Sequence, residues 1–355
     1  MLSNKLAARL TPFKHIVSRT AAAPMYRAIE LSPDKVKGCS SFAVLEAYME
    51  IGVDHPVYID ALSFLSIVSS LPPNEELKLS QKDGSVMWTC GPASGKLAIM
   101  EIKEVPGIPP EQIGTPVKAN KLLGHMLDFG ALSCDSAALG AAGVYGVTIY
   151  NDKKGVLVCS TDNTTVSSAT SNRRIAGVPE LVTLPPPGSE LLGAIIDDDG
   201  TLEFGNNGVI YQSEQLACYV RQVPALTLDT PIKDIVEEYS GSDIVARIPQ
   251  DRIAAFVRRA NALTENKRHA RVLVAASDGC LNLSFQEGTS ESEEFILSEE
   301  LTGVPDIEPV PLSASKVARA LSYIDSIVLD YVDRNVMILT GSNSGFRYLI
   351  SGTSR

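Results

Sequence analysis

The chain has 355 residues, 45% of them hydrophobic, and a formal net charge of −11. That length and apolar content describe a soluble globular protein of two or three domains, and no apolar run approaches the ~20 residues needed to span a bilayer. Six single cysteines without a CxxC pair, and four scattered histidines, exclude a disulfide framework and a metal-ligand motif; they suit buried free thiols in a reducing compartment.

In chain order, Met1–Ile29 comes first, with Lys5, Arg9, Lys14, Arg19 and Arg27 and no acid. That is the composition of a mitochondrial presequence. Leu6, Leu10, Phe13 and Val17 nevertheless recur at helical spacing, which favours a helix over Asn4–Arg19 within the mature fold. A strand at Tyr26–Leu31 and a turn at Pro33-Asp34 follow, then a helix over Asp60–Ser70. Past a Pro-rich linker at Val105–Pro116, the pattern returns. A helix over Lys118–Phe129 precedes strands Val144–Tyr150 and Val156–Ser160 about the turn Asp152-Lys153-Lys154-Gly155, and a helix over Pro187–Ile196 follows. A second linker, Leu228–Ser240, leads to a third round. Its parts are a helix over Gln250–Thr264, strands Val272–Ala276 and Leu281–Phe285 about Ser277-Asp278-Gly279, and a helix over Ser313–Tyr323.

The rounds are a threefold internal repeat. Val86–Ile99 (VMWTCGPASGKLAI) and Val336–Ile350 (VMILTGSNSGFRYLI) share Gly91 and Gly341, Ser94 and Ser344, and Gly95 and Gly345 at one constant offset. The expected organisation is an α+β fold of three similar domains over 1–112, 113–236 and 237–355.

Charge is distributed against the background. In the third-round helix, Ile253, Phe256, Val257, Ala260 and Leu263 form one apolar stripe, while Arg252, Arg258, Arg259, Lys267 and Arg268 fall off it. The four helical stretches Asn4–Arg19, Lys118–Phe129, Gln250–His269 and Ser313–Tyr323 hold 13 Lys and Arg against three Asp and Glu. Basic helices on an acidic body suggest a path for a polyanion. Helices Asp60–Ser70 and Pro187–Ile196 carry no Lys or Arg, so that lining is uneven.

Enzyme motifs do not hold up. Ser313-Ala314-Ser315-Lys316 matches S-x-x-K, but no Lys-Thr-Gly follows. Gly91–Lys96 resembles a phosphate loop one residue short, with Leu97 where Ser or Thr is required; a structural turn is the better reading. The acidic pairs Glu237-Glu238 and Glu293-Glu294 read as solvated loop charge. No nucleophile–base constellation emerges.

At low identity but over nearly its full length, the chain resembles the bacterial DNA polymerase III beta sliding clamp family. The resemblance rests on Val57–Pro72 (VYIDALSFLSIVSSLP), Val144–Asn163 (VYGVTIYNDKKGVLVCSTDN) and Arg252–Val274 (RIAAFVRRANALTENKRHARVLV), with the Thr161-Asp162 pair and the third-round helix the most specific signals. The divergence would suit a phage-encoded or otherwise remote member. The resemblance implies three clamp domains per chain, with helices lining a ring and antiparallel sheets outside. Two chains would close head-to-tail around duplex DNA without sequence preference, in a bacterial or phage-infected cytoplasm. The partners implied are a DNA polymerase and a clamp loader, with no cofactor, no membrane and no catalysis.

Carried over by position, Lys5, Arg9, Lys14, Arg19, Lys118, Lys121, Arg252, Arg258, Arg259, Lys267, Arg268, Lys316 and Arg319 would face DNA. Contacts from Lys and Arg to phosphate carry no sequence information, which suits sliding. The resemblance also implies a partner-peptide cleft. Its wall maps to Val144, Thr161, Asn163, Thr164, Thr165 and Val166, with Pro224, Leu226 and Leu228 nearby, and its floor to Leu349, Ser351, Gly352 and Thr353. The sequence departs from the family here. Asn163-Thr164-Thr165-Val166 replaces Gly-His-Arg-Leu and Ser351-Gly352-Thr353 replaces Met-Pro-Met, so a shallower, more polar cleft is expected. The alternative is a clamp-like oligomeric scaffold that has lost DNA sliding.

Overall fold

The computed structural model describes residues 2–18, 20–109, 114–134, 146–162, 165–224, 232–238, 245–246, 250–263, 271–277, 280–287, 290–297, 307–320, 326–328, 336–340 and 345–351. Its elements recur in one order three times. The first round is α1 (Ser3–Leu10), β1 (Ala28–Leu31), β2 (Lys35–Cys39), β3 (Ala43–Tyr48), β4 (Val57–Asp60), α2 (Ala61–Ser70), β5 (Leu77–Lys82), β6 (Ser85–Cys90) and β7 (Ala93–Ala98). The second is β8 (Val117–Lys118), α3 (Lys121–Gly130), β9 (Val147–Asp152), β10 (Gly155–Thr161), β11 (Thr165–Ser171), β12 (Leu181–Leu184), α4 (Pro186–Ile195), β13 (Thr201–Phe204), β14 (Gly208–Gln212) and β15 (Leu216–Arg221). A short α5 (Ile232–Glu238) precedes the third: β16 (Val245–Ala246), α6 (Gln250–Leu263), β17 (Arg271–Ser277), β18 (Cys280–Glu287), β19 (Ser290–Leu297), β20 (Ile307–Ser313), α7 (Ala314–Ala320), β21 (Ser326–Val328), β22 (Val336–Thr340) and β23 (Phe346–Ser351).

The strands do not stay within their own round. One eight-stranded sheet runs β4-β1-β2-β3-β15-β14-β13-β8 and another runs β12-β9-β10-β11-β23-β22-β21-β16. The joins are antiparallel ladders: Cys218 faces Leu45 in one, and Ser168 faces Arg347 in the other. The remaining sheets are β19-β18-β17-β20 and β5-β6-β7. The chain accordingly divides into two compact units: Met1–Asp128 with Ala176–Pro179 and Thr183–Pro224, and Phe129–Ile175 with Glu180–Val182 and Ala225–Arg355.

Within the first unit, α1 ends early. Pro12 starts a 3₁₀ stretch over Thr11–His15, so the predicted helix over Asn4–Arg19 is one α-helix and one tighter turn. Leu6, Leu10, Phe13 and Ile16 are buried along it. Asp60 caps α2 by accepting from the Ser63 backbone N–H at 2.8 Å. Helices α3 and α4 meet through glycines. A Cβ at Gly193 would stand 2.6 Å from the Asp128 Cβ and 3.0 Å from its backbone, and Ser189 Oγ donates to the Leu127 carbonyl at 2.9 Å.

Within the second unit, Phe256, Val257 and Ala260 of α6 are buried as the stripe predicts, but Leu263 is 41% exposed at the helix end. Phe129 packs edge-on to Phe346 at 5.1 Å, on the sheet face where Gly130 lies against Val147 and Val158. Two readings of acidic pairs are corrected. Glu237 and Glu238 lie in α5, and Glu293 and Glu294 lie in β19 paired with β18, so neither pair is in a loop. The linker Leu228–Ser240 contains a helix because Ile232, Ile235 and Val236 share one helical face. The constant glycine offset also breaks: Gly95 sits inside β7 opposite Trp88, whereas Gly345 is the turn residue before β23. Two residues join β6 to β7, while 341–345 join β22 to β23, so the second strands slip out of correspondence.

Among the cysteines, Cys39, Cys90, Cys134, Cys159 and Cys218 are buried free thiols and Cys280 is partly exposed. Desolvation raises the Cys39 thiol to about 11 and the Cys159 thiol further still. We expect Gly193→Ala to destabilise the protein by about 1–3 kcal/mol through overpacking of α3 on α4, read as a lower midpoint in thermal or urea unfolding; an unchanged midpoint would refute the close packing.

Candidate functional site

Two groups of residues carry functional expectations. The first is the basic set. In the first unit, Lys5 and Lys14 are exposed on α1 and the 3₁₀ stretch, and Lys121 is exposed at the start of α3. Arg9 is partly buried and donates from Nη1 to the Tyr48 carbonyl at 3.4 Å, so part of its capacity is used within the fold. Lys118 is exposed but lies on β8, because Val117 and Lys118 pair with β13; it is not a helical residue as predicted. In the second unit, α6 carries Arg252, Arg258 and Arg259, and α7 carries Lys316 and Arg319. Arg258 and Arg259 are exposed, and the Arg259 guanidinium lies 5.7 Å from the Phe256 ring centroid. Arg19, Lys267 and Arg268 lie outside the described residues.

The second group is the expected peptide cleft. Thr161, Thr165 and Val166 flank the tight β10–β11 turn, and Val166 faces Leu349 of β23 in register. Ser351 ends β23. Both threonine hydroxyls are occupied by their own turn. Thr161 Oγ1 donates to the Thr165 carbonyl at 2.8 Å, and Thr165 gives its N–H and hydroxyl to Asp162 Oδ1 at 2.8 and 3.0 Å. They brace the turn and leave Val166 as the apolar contact. Pro224 belongs to the first unit, and is not part of this strand cluster. Val144, Asn163, Thr164, Leu226, Leu228, Gly352 and Thr353 lie outside the described residues.

The structure adds residues that the sequence reading missed. Val166 joins a buried cluster with Leu157, Cys159, Ile232 and Val236, against which Tyr150 and Ile235 pack. Helix α5 therefore lies on the β9–β10–β11 face. The missed signal was Ile232-x-x-Ile235-Val236, a helical stripe inside a segment read as linker. Two ion pairs tie α5 to the β9–β10 turn: Lys233 Nζ to Asp152 Oδ2 at 2.6 Å, and Lys154 Nζ to Glu237 Oε1 at 3.2 Å. Between helix and hairpin is a cavity of about 230 Å³, walled by Tyr150, Val156, Leu157, Thr170, Val236 and Arg347 among others. Among the described residues, no three His, Cys, Asp or Glu side chains are grouped to hold a metal ion, and no helix is long and apolar enough to cross a membrane.

The hydrogen bond from Lys233 holds the Asp152 carboxyl below its ordinary 3.8. A depressed carboxylate contributes stability that is present above its unfolded value and lost as pH falls through the folded one. Asp152→Asn should therefore melt below wild type at pH 7, with the gap narrowing as pH falls below the ordinary 3.8; a gap of equal size at neutral and strongly acid pH would show that the pair does not hold α5 through charge.

No protein-family model matches the sequence, and no curated protein matches it. Solved structures do. The DNA polymerase III beta chain of Streptococcus pneumoniae is 16% identical, with all of both chains covered and a TM-score of 0.71. A putative DNA polymerase III beta subunit of Eubacterium rectale is 15% identical, covering 100% of this chain and 98% of the other, at 0.68. The Helicobacter pylori beta clamp, solved bound to a DNA ligase peptide, is 14% identical, covering 100% and 99%, at 0.71. At such identities the likeness is one of fold, and from end to end this chain has the fold of the DNA polymerase III beta subunits, the sliding clamps.

Proposed function

We propose that the chain is a DNA sliding clamp, a non-enzymatic processivity factor acting as a head-to-tail homodimeric ring. The observation that carries this is a matched pair of leftover sheet edges. In both eight-stranded sheets, the third strand after the first helix of one round pairs with the last strand of another: β3 with β15, and β11 with β23. The remaining third strand is β19 and the remaining last strand is β7. Among the described residues each pairs on one side only. An open edge is a row of unsatisfied backbone groups that favours pairing. Joining β19 of one copy to β7 of another extends the same rule, producing a third continuous sheet, of seven strands. The contact is heterologous, and with three rounds per chain two copies supply six domains for a closed ring. On this reading the domains are 1–112, 113–236 and 237–355, and the helices face the hole.

The basic residues on α1, α3, α6 and α7 then hold duplex DNA through phosphate alone, while closure supplies retention. The acidic remainder repels DNA from other surfaces. The apolar strip of Tyr150, Leu157 and Val236 along α5 takes a short segment of a partner, a DNA polymerase or a clamp loader; the ligase peptide on the Helicobacter pylori clamp supports this class of partner. The setting is the cytoplasm of a bacterium or of a phage-infected host.

Light scattering behind a sizing column should give about 76 kDa, twice the 38.0 kDa chain, at all micromolar concentrations; a clean monomer counts against the ring. On nicked circular DNA the loaded protein should be retained and then lost when the circle is linearised. Charge reversal at Arg252, Arg258 and Arg259 should weaken retention while leaving the dimer intact. A stable dimer indifferent to DNA in both assays would instead favour an oligomeric scaffold.

A further inference from the structure

The two units use one strand plan and treat one position differently. In the first unit, Lys37, two residues before Cys39, stands between Glu30 and Glu46 in the antiparallel registers. Its Nζ pairs with Glu30 at 3.0 Å, and Lys35 pairs with Glu46 at 2.9 Å. Beside them Tyr219, opposite Val44, packs with Val105 and Ile108, which close that face. In the second unit, Leu157, two residues before Cys159, stands between Tyr150 and Thr170. Arg347, opposite Ser168, takes the place of Tyr219. The internally neutralised charge cluster of one unit is thus an apolar cavity with a guanidinium in the other.

That guanidinium is uncompensated. The other two cations at the cavity, Lys154 and Lys233, are committed to Glu237 and Asp152. Arg347 is partly buried and makes no ion pair among the described residues, and desolvation is the influence on its pKa. Its register partner Ser168 is fully buried, with an Oγ that has no hydrogen-bond partner among the described residues. Burying an unpaired charge is costly, and arginine's planar fork matches a carboxylate. The cavity far exceeds the volume of one water. Its walls Tyr150, Leu157 and Val236 form an apolar strip backed by the buried Cys159, Val166 and Ile232. An apolar wall beside a guanidinium suits an acid carried next to an apolar residue, as on a peptide, better than a free anion. One net positive charge suits one carboxylate better than a nucleic-acid backbone.

We infer that the cavity between α5 and the β9–β10 hairpin binds an acidic side chain of a partner peptide, with Arg347 as its carboxylate anchor and Tyr150, Leu157 and Val236 holding an adjacent apolar residue. This rests on the partner-docking reading of the same strip and is independent of DNA encirclement.

The test is selection of random heptapeptides on the full-length protein, followed by fluorescence anisotropy with a labelled selected peptide. Selected peptides should place Asp or Glu beside Leu, Ile or Phe. Replacing the acid by its amide should weaken binding about tenfold on wild type and less than about twofold on Arg347→Gln, the size of a charge-assisted hydrogen bond. Thr170→Glu places an acid where the first unit has Glu46, on an exposed position that should not disturb folding. It should remove the preference for acidic peptides, with melting temperature confirming both variants folded. Selected peptides without an acid, or an acid effect unchanged in Arg347→Gln, would overturn the anchor while leaving docking on the strip intact. No enrichment at all would overturn both.

Discussion

Backbone pairing across rounds is the constraint on which the rest depends. Each four-strand group has a long strand at one side, and a strand left open there exposes N–H and C=O groups that need partners. Here β3 finds β15 and β11 finds β23, so half of one round completes half of another. The compact units therefore cut across sequence order, with Thr183–Pro224 joining the start of the chain. Helix positions follow from the same pairing, because α3 and α4 can pack on glycines only when their flanking strands are fixed.

The shared plan leaves room for divergence where a sheet face is covered. In the first unit the cover is an extended segment, with Val105 and Ile108 on Cys39 and Val44. In the second it is α5, with Ile232 and Val236 on Cys159 and Leu157. An extended segment and a helix cover different areas, and the space left beside α5 is the cavity that Arg347 enters. The first unit meets charge on its sheet with opposite charge. The second unit does so at Asp152 and Lys154 but not at Arg347, and the difference lies in a few side chains on an otherwise common frame.

The repeat, the helices and the hairpins were legible because they rest on local periodicity and turn chemistry: the α6 stripe and the Asp152–Gly155 turn stand where the pattern places them. Errors came where context overrode pattern. Pro12 split the first helix, β13 drew Lys118 into a strand, and a wider spacing between β22 and β23 than between β6 and β7 broke the match of Gly95 with Gly345. The expected cleft was legible in part. Val166 was found because it follows Thr161-Asp162, but α5 was hidden because seven helical residues in a polar segment make a weak signal.

By itself, the sequence determined the threefold recurrence, the α+β class, the absence of long apolar runs and the clustering of basic residues on helices, since each is a property of neighbouring residues or of composition. Only the tertiary structure decided which rounds share a sheet, which strands keep an open edge and which side chains meet around Arg347. Those outcomes depend on registers between strands far apart in the chain, such as Ser168 with Arg347. A register is set by the sum of hydrogen bonds and packing over a whole ladder, and no local window of sequence contains it.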